Sequence, residues 1–140
     1  HMDFRRRLLD IGSGAGFPGL ALKLAAPDLD VVLLEPIAKK RAFLKEVARA
    51  CEFSGVTVRA DRLEKFSGTT EHFEQITTRA VGRVDELVAR SIPMLSERGK
   101  LCLWLSRSQA EKLQTPGVRW ERQIHVPLSR ERVILIGSRL

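Results

Sequence analysis

At 140 residues, with 44% hydrophobic and 29% charged side chains, the chain has the length and balance of one soluble domain that buries a core without disulfides or a structural metal. Its longest apolar runs fall far short of a membrane span, which excludes a transmembrane helix and suits a cytoplasmic protein. Lys and Arg number 24 against 17 Asp and Glu, a net charge of +7 that suits an acidic partner such as nucleic acid and equally a generally basic surface.

The start, His1-Met2-Asp3, reads as the remnant of an expression tag, and residues 1–140 are expected to form a single domain. A strand at about residues 7–11 is followed by a helix opening near Pro18, which suits a first helical turn, and by an apolar second strand at 31–34. From 37 to about 53, Leu44, Val47, Ala48 and Cys51 recur at helical spacing on one face, with Lys40, Arg41, Lys45, Arg49 and Glu52 mostly outside that stripe. Gly55 breaks this helix; residues 56–58 form a third strand, a short turn or helix follows around 61–65, and a fourth strand lies near 74–78. After Gly82 a helix buries Val84, Leu87, Val88, Ile92 and Leu95, and Gly99 leads into a fifth strand at 100–105. Alternation over 118–126 and a run at 132–136, joined by too few residues for a helical crossover, predict an antiparallel terminal hairpin. The rhythm is that of an α/β protein with a mostly parallel sheet. Cys51 and Cys102 are expected as buried thiols in a reducing compartment, and no CxxC or His-Cys spacing suggests a metal site.

Gly12, Gly14 and Gly16 fall between the first strand and the first helix, where glycines let the backbone itself approach a ligand. The dinucleotide fingerprint needs a glycine at position 17, where the chain has Phe17, which disfavours a nicotinamide-dependent oxidoreductase. A GxGxG loop preceded by Asp10 instead resembles the cofactor loop of methyltransferases that use S-adenosyl-L-methionine. Five parallel strands ending in a hairpin likewise resemble their seven-stranded, Rossmann-like fold. That cofactor carries an ammonium and a sulfonium where a dinucleotide brings a pyrophosphate, so an acidic Asp10 suits it; the alternative is that Asp10 only caps the loop.

Glu35, closing the second strand, can accept both hydroxyls of an adenosine ribose or can simply be a solvated strand-end acid. At the end of the third strand, Asp61, Arg62, Leu63 and Glu64 occupy the edge where analogy puts the adenine, and Asp61 with Glu64 could equally cap a helix. Arg79 ends the fourth strand and is the candidate for the active cleft, holding the cofactor's carboxylate or a target phosphate, or else making a structural ion pair. Phe17 is a candidate stacking face for a base, and Arg5-Arg6-Arg7, Lys39-Lys40-Arg41 and Arg130 with Arg132 are candidate phosphate contacts.

The run Asp10-Ile11-Gly12-Ser13-Gly14-Ala15-Gly16-Phe17-Pro18-Gly19, the Glu35-Pro36 pair followed by Lys39-Lys40 and Phe43-Leu44, and Thr78-Arg79-Ala80-Val81 resemble the GidB/RsmG family. The resemblance implies transfer of a methyl group to N7 of a guanine in small-subunit ribosomal RNA, with ribosomal RNA or the small subunit as partner. Alternatives are an RNA- and cofactor-binding fragment without turnover and a small-molecule methyltransferase of the same fold. Three departures stand out: family members usually carry a helical N-terminal extension, a Leu-Lys-Gly-like motif that ends their fifth strand is replaced by Trp104-Leu105-Ser106-Arg107, and an arginine that precedes their terminal strand aligns with Glu131, flanked by Arg130 and Arg132. Guanine N7 offers a lone pair and no proton, so its attack on a methyl group needs no general base, which fits the absence of any histidine in a recognisable catalytic motif.

Overall fold

The computed structural model describes residues 6–67, 70–79 and 82–140; His1-Met2-Asp3, Arg5 and the Ala80-Val81 pair lie outside them. Seven strands form one sheet in the order β3-β2-β1-β4-β5-β7-β6. The central strands β1 (Arg7–Ile11) and β2 (Asp30–Leu34) are each buried along four of five residues, as continuous apolar runs covered on both faces should be. β2 pairs with β3 (Val56–Arg59), and β1 with β4 (Phe73–Arg79), all parallel. β4 continues in parallel to β5 (Leu95–Ser106), while β7 (Arg132–Arg139) lies antiparallel to both β5 and β6 (Val118–His125). This is the expected mostly parallel, Rossmann-like sheet with a terminal antiparallel pair.

Helices α1 (Gly19–Ala25) and α2 (Ala38–Ala50) supply Leu20 and Leu44 to a core with Leu8, Val31 and Leu33 on one face. On the other face Phe66 of α3 (Leu63–Phe66) and Val88 of α4 (Val84–Ser91) pack with Leu9, Ile76, Leu101 and Leu103. The chain therefore leaves β1 toward β2 and β3 on one side and returns to β4 on the other. That reversal of strand order opens a crevice beyond the carboxyl ends of β1 and β4.

Four local expectations are corrected. The helix expected to bury Leu95 ends at Ser91: Pro93 cannot donate to a helical ladder, so Ile92–Met94 form a 3₁₀ turn and Leu95 opens β5, which is longer than expected. Pro18 sits at the N-cap of α1 and not inside its first turn. Cys51 is exposed, because α2 stops at Ala50 and the chain turns away with Glu52 at a positive φ of 53°. Cys102 is partly buried, and burial pushes its thiol pKa up. An unexpected helix, α5 (Arg107–Glu111), is nucleated by a capping box: the Ser106 hydroxyl accepts the Gln109 N–H at 3.1 Å, and the Gln109 side chain accepts the Ser106 N–H at 2.9 Å.

Candidate functional site

The glycine loop emerges where β1 ends and is tied to its neighbour by Gly12 and Ser13, whose N–H groups donate to the Leu34 carbonyl at 2.9 and 3.1 Å. Gly12, Gly14 and Gly16 all take positive φ, between 54° and 92°, so the turn depends on residues without a Cβ. Gly19 is constrained differently, by space. A Cβ there would stand 2.5 Å from Oδ2 of Asp10 and 2.7 Å from Leu33.

That closeness lets Asp10 reach the helix. Its Oδ2 accepts the Gly19 N–H at 3.0 Å, so the capping role holds for one oxygen, while Oδ1 is buried without a hydrogen-bond partner among the described residues. Asp10 is 1% exposed. Burial pushes its pKa up from 3.8 to about 7, against the opposing pull of the Gly19 N–H, Ser13 and the Arg79 charge, with the Glu35 charge adding to the rise. A cation beside Oδ1 would restore the ionised form.

Glu35 is 3% exposed, which rules out a solvated strand-end acid. Its two oxygens accept the Gly14 N–H at 3.1 Å and the Ile37 N–H at 3.3 Å, bracing the glycine loop against the entry to α2. Each carboxylate oxygen offers two lone pairs, so capacity remains for a diol. Arg41 of the basic α2 cluster is committed to the same corner, donating to the Glu35 and Pro36 carbonyls at 3.0 and 2.6 Å.

Asp61 caps no helix. It pairs with Arg59 at 2.9 Å, which holds its carboxyl below the usual range, and the N-cap of α3 falls on Arg62 without a side-chain bond. Leu63 packs against the core, while Arg62 and Glu64 are exposed, all at the β3 end of the crevice. Asp10, Glu35 and the glycine loop thus form one bonded unit, and the Asp61–Glu64 segment flanks it two strands away.

On the other side, Arg79 makes no ion pair with a described residue. Its guanidinium lies over the Phe17 ring at 5.6 Å from the centroid. Phe17 in turn meets Trp104 edge-on, with centroids 5.0 Å apart at 78°. The register explains this: Arg79 and Trp104 are partners across β4 and β5, so they project side by side and the loop folds Phe17 across both. Phe17 remains 43% exposed. Trp104 was missed from the sequence, where only the pairing of β4 with β5 could have put it beside Arg79. Thr77 was missed for the same reason: it faces Asp10 across β1 and β4.

Other candidates lie elsewhere. Arg7 bonds Glu71 at 2.8 Å and sits over Phe73 at the opposite end of the strands, so it is committed structurally. A cavity of about 850 Å³ also opens at that end, beside Lys23, Asp28 and Asp30. The Lys23 ammonium there donates to the Pro27 and Leu29 carbonyls at 2.5 and 2.6 Å, a tie that holds the end of α1. His72 and His125 are exposed; His125 faces Arg107 at 3.4 Å. Arg130 and Arg132 are exposed near the end of β5, where Ser106 pairs with Arg132. Among the described residues no cluster of metal-ligating side chains occurs, and no helix is long and apolar enough to cross a membrane.

A family model, GidB, described as rRNA small subunit methyltransferase G, matches residues 1–130. Proteins named ribosomal RNA small subunit methyltransferase G are similar: that of Sorangium cellulosum is 40% identical over 109 residues, covering 76% of this chain and 46% of its own length. That of Clavibacter michiganensis is 36% identical over 129 residues, covering 92% and 59%. The chain spans about half the length of the curated relatives it matches. Among solved structures, TrmN from Thermus thermophilus superposes with a TM-score of 0.81 at 16% identity, over 99% of this chain and 46% of that one. A ribosomal protein L11 methylase from Lactobacillus delbrueckii gives 0.80 at 15% identity, over 99% and 72%, a likeness of fold. The chain belongs to the GidB family, the rRNA small subunit methyltransferase G family.

Proposed function

We propose that this chain is the catalytic domain of a cytoplasmic methyltransferase that uses S-adenosyl-L-methionine to methylate N7 of a guanine in small-subunit ribosomal RNA. The observation that carries the reading is the buried Asp10, with one oxygen fixed by Gly19 and the other without a hydrogen-bond partner among the described residues, where the strand order reverses. That donor set fits a ligand bearing an ammonium, and the carboxylates of Asp10 and Glu35 would hold the cofactor's amine and ribose respectively. Backbone at Gly12, Gly14 and Gly16 would lie against it, with the 61–64 segment beside the adenine. When bound, the cofactor supplies an electrophilic methyl group on a sulfonium.

Phe17 and Trp104 offer an aromatic step for a flipped guanine, and Arg79, over the ring of Phe17, brings a planar cation for a carboxylate or phosphate. Since N7 carries no proton, the residues need only orient the base and exclude water; proximity supplies most of the rate. Arg107, Arg130 and Arg132 extend positive charge along the β5 and β7 ends for flanking phosphates, so binding should weaken steeply with salt.

The test is transfer of a labelled methyl group to undermethylated small subunits, with N7-methylguanosine read by mass spectrometry. Calorimetry with S-adenosylhomocysteine and with NAD accompanies it. Binding of NAD in preference to S-adenosylhomocysteine would overturn the cofactor assignment. Methylation of small molecules but not of the subunit would overturn the substrate. Cofactor and RNA binding without transfer, set against transfer by a full-length relative, would mark this chain as a binding fragment.

A further inference from the structure

The connection between β6 and β7 stands at the same edge of the sheet as the aromatic step. Arg79 pairs in register with Trp104, Trp104 with Ile134 and Ile134 with Ile124, so one row of residues crosses from β4 to β6 near the carboxyl ends of β4 and β5. Residues 126–131 rise above the far end of that row, one to two strand spacings of about 4.8 Å from β5.

The loop is braced from within and from α5. The Val126 N–H donates to the Arg132 carbonyl at 3.1 Å, and the Arg107 N–H donates to the Glu131 carbonyl at 2.7 Å. The Ser129 hydroxyl oxygen accepts the Glu131 and Arg132 N–H groups at 3.4 and 3.1 Å. At the tip the Ser129 N–H donates to the Val126 carbonyl at 3.1 Å, closing a four-residue turn with Pro127 second and Leu128 third. Leu128 takes a φ of 65°, in a position where such turns favour glycine or asparagine because a side chain is crowded against the following carbonyl. It is also the most exposed large apolar side chain among the described residues. A leucine here meets a backbone cost and buries nothing in return, so folding gives no reason for it.

The exposed side chains around the tip include Arg107, His125, Arg130 and Arg132, and Glu131 is the one acid between residues 125 and 132. A protein or lipid partner would be met by a contiguous apolar patch. A single apolar point among arginines suits a polyanion with stacked bases inside: the cations meet phosphates, and the apolar side chain enters between bases. A guanine within folded RNA must leave its stack, at a cost, before its N7 can face a methyl donor.

We propose that Leu128 is an unstacking wedge, entering the RNA stack beside the target guanine as that base moves onto Phe17 and Trp104. This rests on the function proposed above. Because the loop is already braced, the wedge is presented without a folding step on binding.

The experiment compares the parent chain with Leu128→Asn, Leu128→Gly and Leu128→Met on undermethylated small subunits. Asn and Gly accept the positive φ, so both variants should unfold at the parental urea midpoint or above it. Their kcat/KM for methyl transfer should nonetheless fall about ten- to a hundredfold, with S-adenosylhomocysteine affinity within about twofold of the parent, while Met keeps most of the rate. A photoreactive benzophenone amino acid in place of Leu128 should cross-link to ribosomal RNA on the small subunit. A parental rate in both Asn and Gly, or cross-links to ribosomal protein alone or to nothing, would overturn the wedge. So would an equal loss of S-adenosylhomocysteine affinity, which would make the loop part of the cofactor site. A parent that transfers no methyl group to small subunits would overturn the proposed function instead, and the presence or absence of the RNA cross-link would then decide for or against Leu128 as an RNA contact.

Discussion

Replacing Asp10 with asparagine keeps an oxygen for the Gly19 N–H and removes the buried charge. Burial raises this carboxyl from 3.8 to about 7, so in the window between those values the folded chain holds a proton that the unfolded chain has released. Stability therefore falls as pH rises through the window: nothing is lost below about pH 4, and roughly 4 kcal/mol is lost above pH 7. Asp10→Asn should accordingly raise the unfolding free energy at pH 8 by up to about 4 kcal/mol, with the gain shrinking toward zero near pH 4. The parent chain should itself gain roughly 2–3 kcal/mol between pH 8 and pH 5. Glu46, Asp61 and Glu121, each held below its ordinary range by a cationic or hydroxyl partner, lose their contributions only at more acidic pH and leave this interval clean. Urea unfolding of both proteins at pH 5, 6, 7 and 8 gives the comparison. A difference between them that stays constant across that range would refute the buried, strained carboxylate.

Gly19→Ala should lower the urea midpoint by an amount equivalent to about 1–3 kcal/mol, because the new methyl meets Oδ2 of Asp10 at 2.5 Å; helix propensity alone would stabilise by about 1 kcal/mol, so a gain would contradict the close approach. Phe17→Ala should reduce kcat/KM on small subunits by about tenfold or more while changing S-adenosylhomocysteine affinity less than about threefold, and an equal loss in both would show that Phe17 serves the cofactor. Arg79→Lys keeps the charge that steadies Asp10 but loses the planar face over Phe17, so transfer should fall at least about tenfold with the Asp10 titration unmoved; a parental rate would exclude the guanidinium.

Local chemistry carried most of the architecture into the sequence. Apolar runs at Leu8-Leu9 and Val31–Leu34, glycines at 12, 14 and 16, and the alternation ending at His125 each have a short-range cause, and the corresponding elements form where that cause lies. Boundaries went astray where two short-range signals competed: the helical spacing that reached Leu95 met Pro93, and the proline prevailed. The Ser106/Gln109 capping box was legible but lay at the end of a strand, where no helix was sought. Contacts between strands were not legible. Which residue stands beside Asp10, Arg79 or Asp61 depends on register and on rotamers, so Thr77, Trp104 and the Arg59 ion pair had no signature along the chain.

The two margins of the sheet bear on how such a chain survives in a crowded cell. β3 offers only four residues, and β6 carries a register break between Trp120 and Arg122 amid Arg119, Glu121 and His125. An incoming strand from another molecule would find too short a ladder on one side and, on the other, amide groups out of step among charged side chains. Heated or newly made copies should therefore be poor templates for one another, so that the basic surface proposed to meet RNA does not become a seed for aggregation.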